Sequence, residues 1–152
     1  MDSFAARLNE LLDDTYLNIM TMEEQSVRSC ARLDLSTSEF HLIQVVGRAG
    51  KDGITVSEIA DTIHVTRSSV SVAVNKLARK GFVTKSRCSN DGRSIRVQLT
   101  RQGRLADAYH RYYHRQLFTR LTTEFTQEEK AALIKGVEKL NQIFLDTIRE
   151  RD

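Results

Sequence analysis

Apolar residues in this chain recur mostly at the three- and four-residue spacing of a helix. Phe4, Leu8, Leu11, Leu12, Ile19 and Met22 are placed so, with Glu10, Asp13, Asp14 and Asn18 between them. They predict an amphipathic helix running to about Cys30. Ser36 with Glu39, Thr55 with Glu58, and Thr126 with Glu129 each form the pattern in which two side chains satisfy the free amides of a new helix. The first opens a helix that turns Phe40, Ile43 and Val46 inward, with Leu42 beside them, and Gly47 or Gly50 should end it. The second opens a short helix with Ile59, Ala60 and Ile63 on its apolar face. The third opens a long one bearing Leu133, Val137, Leu140, Phe144 and Ile148.

One stretch is ambiguous. Ser69 to Val74 alternates polar and apolar like a strand, yet Val70, Val74 and Leu77 lie at helical spacing. Thr66 can cap a helix start and Gly81 can stop it after Arg79 and Lys80, so the flanks decide for helix. After Gly81 the period falls to two. Phe82–Cys88 and Ser94–Thr100 read as strands, and Ser89-Asn90-Asp91-Gly92 between them makes a hairpin. Thr100 then caps a helix whose apolar positions are Leu105, Tyr109, Tyr112, Leu117 and Leu121. The order is four helices, a hairpin and two more helices, a mainly α chain.

The stretch Thr55–Leu77, TVSEIADTIHVTRSSVSVAVNKL, has the form of a helix-turn-helix. Ile59, Ala60, Ile63, Val65, Val70, Val74 and Leu77 would pack its two helices. The first half of the second helix is then free to enter a major groove of duplex DNA. It offers Thr66, Arg67, Ser68, Ser69, Ser71 and Asn75, followed by Lys76 and Arg79, while Thr55 and Ser57 open the helix before it. Arginine pairs with guanine, asparagine with adenine, and serine with a base or a phosphate. No acidic residue occurs from Thr66 to Gly81, whereas an ordinary solvated face mixes its charges. In the hairpin, Lys85, Arg87, Arg93 and Arg96 form a basic finger. Its tip, Asn90 to Arg93, suits a minor groove, where negative potential concentrates, and Ser94 beside it is a further contact candidate. Asp91 belongs there if it orients Arg93 or another nearby arginine.

Net charge, only +3 at neutral pH, permits a polyanionic partner without demanding one. The chain has 152 residues, no proline and two unpatterned cysteines, Cys30 and Cys88. Nothing resembles a disulfide framework, a signal peptide or a membrane span, so a cytoplasmic, reduced protein without a membrane partner is expected. No phosphate loop or nucleophile motif points to an enzyme, and no cofactor is required. A purely structural helical dimer would explain the terminal helices but not the acid-free helix or the basic hairpin.

Asp91-Gly-Arg93, then Leu99-Thr100-x-x-Gly103 opening a long helix, resembles the MarR family of bacterial regulators. The likeness spans essentially the whole chain. It implies a winged helix-turn-helix with six helices and a two-stranded wing. Residues 33–100 would form the DNA-binding lobe, and residues 1–32 and 101–152 a helical dimerisation region, integrated in one domain. It also implies a triangular homodimer, because a small winged helix cannot by itself cover Phe4–Met22 and Leu133–Ile148. Two-fold symmetry then predicts a pseudo-palindromic operator with half-sites about one helical turn apart.

Ser38–Gly50, Ala78–Arg87 and Leu99–Arg115 are most similar to the branch that represses fatty acid synthesis in Gram-positive bacteria. That resemblance implies a repressor of type II fatty acid synthesis genes that responds to long-chain acyl-acyl carrier protein. Leu12, Ile19, Met20, Met22, Phe40 and Ile43 could line an acyl tunnel, or could simply be core. Zinc is the competing signal. His110 and His114 share a helix face, and Glu24 and His41 could complete a four-ligand site, at positions similar to those of the family's zinc-responsive uptake regulators. Peroxide sensing at Cys30, near Arg28 and Arg32, is a third reading. It is disfavoured because the oxidation-sensing branch carries its cysteine nearer the start of the first helix.

Overall fold

The computed structural model describes residues 2–29, 33–87 and 94–150. Its helices are α1 (Ser3–Ser29), α2 (Thr37–Arg48), α3 (Val56–Thr62), α4 (Arg67–Arg79), α5 (Arg101–Thr123) and α6 (Gln127–Arg149). Its strands are β1 (Ile54–Thr55), β2 (Val83–Arg87) and β3 (Ile95–Leu99). Two compact units, Met1–Arg111 and Tyr112–Asp152, divide the chain within α5.

All three expected capping boxes form, at Ser36, Thr55 and Thr126. The ambiguous stretch is helical, with Val70, Val74 and Leu77 buried on one face. Gly47 does not end α2, which continues to Arg48. Gly50, at φ +66 directly after the Ala49 C-cap, is the glycine that stops it, and it opens the 3-10 turn Gly50–Asp52. The wing strands pair antiparallel in the register Val83 with Leu99 through Arg87 with Ile95. The expected pair becomes a sheet of three, because Ile54 and Thr55 add to the other edge of β3 opposite Val97 and Arg96. A two-residue strand has too short a pattern to announce itself.

The core of the first unit is built on Phe40, Ile43, Val46, Ile59, Val70, Val74, Leu77, Phe82 and Val97. Ile63 and Val65, expected between the two helices of the helix-turn-helix, are instead 37% and 45% exposed. They flank the turn in which His64 takes a left-handed φ of 52°, and the seam there stays partly open, so they line a shallow pocket with Leu42, Val70 and Ala73 instead of closing into the core. On α5 the buried positions are Gly103, Ala106, Asp107 and His110, while Leu105, Tyr109 and Tyr112 are exposed. Thr100 caps this helix through its Oγ1, which accepts from the Gly103 amide at 3.0 Å and donates to the Gly81 carbonyl at 2.7 Å.

In the second unit no described residue of α6 is buried, and Leu133, Ile134, Val137, Ile143 and Phe144 are each about half exposed or more. On α1, Phe4, Tyr16 and Leu17 are more than 60% exposed. No helix among the described residues is long and apolar enough to cross a membrane.

Candidate nucleic-acid interface

Two contacts hold α4 so that its polar face points outward. Below it, Val70, Val74 and Leu77 lock into the core. At its side stands Glu39, buried at the start of α2. Its carboxylate meets Lys76 at 3.2 Å and Lys80 at 3.1 Å and accepts from the Ser36 amide at 2.8 Å. Burial pushes the Glu39 carboxyl up, but the Ser36 amide, Lys80 and Lys76 together hold it below its ordinary value of 4.5. For Lys80, burial acts to lower the pKa, and the Glu39 and Asp34 carboxylates reverse that and raise it above 10.5.

Thr66 is the N-cap, accepting from the Ser69 amide at 3.2 Å, and its Oγ1 lies 2.9 and 2.8 Å from the Ser68 and Ser69 hydroxyls. These small hydroxyls and Arg67 surround the first turn, where unpaired backbone amides and the positive end of the helix dipole favour an anion. Arg67, Ser68, Ser69, Asn75, Lys76 and Arg79 are exposed, and Ser71 is half-buried with its Oγ donating to the Arg67 carbonyl at 2.9 Å. Val72 stands among them, 69% exposed. From the sheet, Lys85 donates to Asn75 Oδ1 at 2.5 Å, joining the wing root to the helix.

Thr55 and Lys76, also expected as contacts, are engaged within the protein, and Ser57 is partly covered. The Thr55 hydroxyl accepts from the Glu58 amide at 3.2 Å and donates to the Glu58 carboxylate at 2.7 Å. Ser57, in the first turn of α3, is half-buried. Lys76 is paired with Glu39. Arg96, expected in the basic finger, turns back and donates to the Asp52 and Gly53 carbonyls at 3.1 and 3.2 Å. That direction follows from the third strand, which places the Asp52–Gly53 turn beside β3. Lys85 and Arg87 remain exposed on β2, and Ser94 is half-buried at the start of the returning strand. Asn90, Asp91 and Arg93 lie outside the described residues, as do Cys30, Arg32 and Cys88.

A second polar group lies between α1, α2 and α5. His110 is 1% exposed, with Nδ1 2.5 Å from Gln44 Nε2 and Nε2 3.1 Å from Glu23 Oε2. His41 Nε2 stands 3.6 Å from the same Glu23 oxygen, and Phe40 stacks on the His110 ring. The carboxylate between the imidazoles is thus Glu23. Its neighbour Glu24, the residue expected there, pairs with Arg28 at 3.6 Å. His114, one turn beyond His110, stacks on Phe118. Beside the group, α1 and the start of α2 frame an open groove of about 590 Å³ with Tyr16, Ile19 and Met20 on its apolar wall and Glu24 and His41 along its edge. Phe40 and Ile43, counted among possible tunnel residues, are instead core at 1% and 0% exposure.

The model of the MarR family matches residues 33–94, the stretch containing α2 to the wing. Among curated proteins, the transcriptional regulator AdcR of Streptococcus pneumoniae is 26% identical over 137 residues, covering 88% of this chain and 92% of that protein. The HTH-type regulator YhjH of Bacillus subtilis is 27% identical over 111 residues, and the match spans only 62% of its length. Among solved structures, Streptococcus pneumoniae FabT in complex with DNA is 30% identical with a TM-score of 0.88, covering 94% of this chain and 99% of that one. The chain belongs to the MarR family. It is a MarR-type DNA-binding transcription regulator rather than an enzyme.

For a MarR protein the informative departures from the sequence reading are Val72, Lys85 and Glu23. Val72 sits in a run that alternates like a strand, and only the helical phase set by Val70 and Val74 turns it outward. The sequence marks Lys85 only as part of the basic hairpin, and neither its tie to Asn75 nor the role of Glu23 has a local signal. Their partners, Asn75 and His110, lie 10 and 87 residues away in the chain.

Proposed function

We propose that this chain is a homodimeric repressor that reads a pseudo-palindromic operator through α4 and the wing of each protomer. Its targets are type II fatty acid synthesis genes, and long-chain acyl-acyl carrier protein tunes its affinity. The observation that carries the DNA reading is the acid-free outer face of α4, held by the Thr66 cap and the Glu39 ion pairs. Arg67, Asn75 and the exposed methyls of Val72 supply a guanine reader, an adenine reader and an apolar contact for thymine. Asn90, Asp91, Arg93 and Ser94 would enter the minor groove as the wing tip. Asn75 reads a base only by releasing Lys85, which then turns to a phosphate. The exposed apolar stripes of α1 and α6 favour a second copy of the chain.

The fatty-acid reading rests on the similarity of Ser38–Gly50, Ala78–Arg87 and Leu99–Arg115 to that branch, and on the 30% identity with FabT over nearly the whole chain. The groove with Tyr16, Ile19 and Met20 offers an apolar wall for an acyl chain. Zinc is the second reading, favoured by the Glu23 oxygen at 3.1 and 3.6 Å from two imidazoles. One carboxylate and two neutral histidines suit zinc, and His114 and Glu24 are further donors at that level of the chain. If the Gln44 amide presented its oxygen to His110 Nδ1–H, Nε2 beside Glu23 would carry the lone pair a metal needs, the arrangement in which an outer partner fixes the ligand tautomer.

Fluorescence anisotropy against duplexes from upstream of fatty acid synthesis genes tests this, run in EDTA, with zinc, and with long-chain acyl-acyl carrier protein. Tightening with the acyl carrier alone is the expected result. A response to zinc alone reverses the ranking, and no DNA binding under any condition overturns the reading. In the same assay Arg93→Ala should lose most operator binding and keep its oligomeric state.

A further inference from the structure

A cavity of about 330 Å³ lies between the sheet and α5 in the first unit, away from the outer face of α4. Thr84 and Gln98 line it from the strands, Lys51 from the turn after α2, and Arg104, Asp107 and Arg111 from α5. Three cationic residues and one acidic residue therefore border the same space. Gln98 Nε2 donates to the Lys51 carbonyl at 2.7 Å, which fixes the turn that carries Lys51. Arg104 is anchored through Nη1 to the Leu99 carbonyl at 2.8 Å, and a guanidinium so held keeps further N–H donors.

Asp107 is the unusual member. It is 4% exposed, and it pairs at 3.0 Å with Arg111, a side chain 60% exposed. Gly47 makes room for it, since a Cβ there would lie 2.7 Å from Asp107 Oδ2. Burial pushes the Asp107 carboxyl up by more than Arg111, His110 and Arg48 pull it down. A helix-surface pair alone would leave this carboxylate in water. Here it is turned inward, its oxygens against Gly47 at the wall of a cavity that Lys51 and Arg104 also line.

We propose that this cavity binds a small organic anion that also carries a hydroxyl group. The phosphate or carboxylate head meets Lys51 and Arg104, and the hydroxyl donates to Asp107. The volume equals roughly eleven waters at ~30 Å³ each, which suits a ligand of about ten non-hydrogen atoms. An occupant would touch both strands that carry the wing and the helix that leads out of the lobe.

Calorimetry on the full-length protein without DNA tests this, so its failure is separate from any failure of the operator reading. The probes are glycerol 3-phosphate and glycerate, with inorganic phosphate and glycerol as the separated halves. Saturable binding of one or both hydroxylated anions, at least about tenfold tighter than either half, is expected. Lys51→Gln should weaken it about tenfold by removing a charge-assisted contact, and Lys51→Arg should restore most of it. Lys51 is exposed and outside the core, so this variant folds. Binding of neither anion overturns the proposal. So does inorganic phosphate binding as tightly as glycerol 3-phosphate, or binding indifferent to Lys51→Gln.

Discussion

Gly103 and Glu39 are two residues whose roles depend on what lies against them. A Cβ at Gly103 would stand 2.1 Å from the Phe82 carbonyl oxygen, and that oxygen is backbone, already accepting from the Thr100 amide at 3.0 Å. It cannot swing aside. Gly103→Ala should therefore cost about 3 kcal/mol, the upper range for overpacking, although alanine is the better helix former. A urea midpoint equal to wild type would show that α5 approaches the sheet less closely than described. Glu39→Gln keeps an acceptor for the Ser36 amide but removes the charge facing Lys76 and Lys80, a loss of about 2 kcal/mol for charge-assisted bonds. The pH dependence has a definite sign. The folded carboxyl lies below its ordinary 4.5, so its stabilisation is present above that pH and is lost as pH falls through the folded value. Urea melts of both proteins should diverge at neutral pH and converge in acid; a gap that persists in acid would mean a packing defect instead. The Leu-Thr-x-x-Gly resemblance marked Gly103 in the sequence, but the reason, a carbonyl 21 residues back, is a property of the folded chain.

Helix starts were the most legible elements, because a capping box is a local bargain between residues three apart and all three formed as read. The recognition helix was legible from its flanks, and its acid-free face from composition. What stayed hidden was direction across elements. Ile63 and Val65 read as core by spacing, but they lie at a partly open seam beside the His64 turn. On α5 the large apolar residues read as the inner face, whereas the small Gly103 and Ala106 occupy it, because the sheet packs too close for leucine or tyrosine. Within α4 the two exposed arginines should separate by function. Arg67 lies in the first turn, at the end that enters a groove, and Arg79 in the last, toward the phosphates. Arg67→Ala should cost about 1–3 kcal/mol of operator affinity and relax the preference at one base position. Arg79→Ala should weaken all duplexes alike and reduce the salt slope by about one. Anisotropy across a salt series on the operator and on scrambled DNA reads both. Identical behaviour of the two variants would mean that α4 lies along the backbone rather than in a groove.

Over the whole molecule the unanswered demand is for cover. Val137 and Phe144 are 53% and 52% exposed on α6, and Phe4 and Leu17 on α1 are 70% and 61% exposed. A monomer would present these stripes to water, where patches of this kind mark an association surface. Their exposure also makes the test clean, because replacing a side chain already in solvent usually changes chain stability by no more than ~0.5 kcal/mol. The double variant Val137→Glu, Phe144→Glu should therefore fold, with helical circular dichroism unchanged, while placing four carboxylates in an isologous interface. It should sediment as a monomer where wild type sediments as a dimer. Two linked half-sites bind far more tightly than one, so operator affinity should fall by about a hundredfold or more. The salt slope carries the decisive information. A dimer making ~6–10 phosphate contacts loses affinity steeply with salt, and a monomer on one half-site should show about half that slope. If the double variant remained dimeric, α6 would not be the interface. If wild type were monomeric and bound with the same slope as the variant, operator recognition would need only one copy, and the two-fold operator would lose its physical basis.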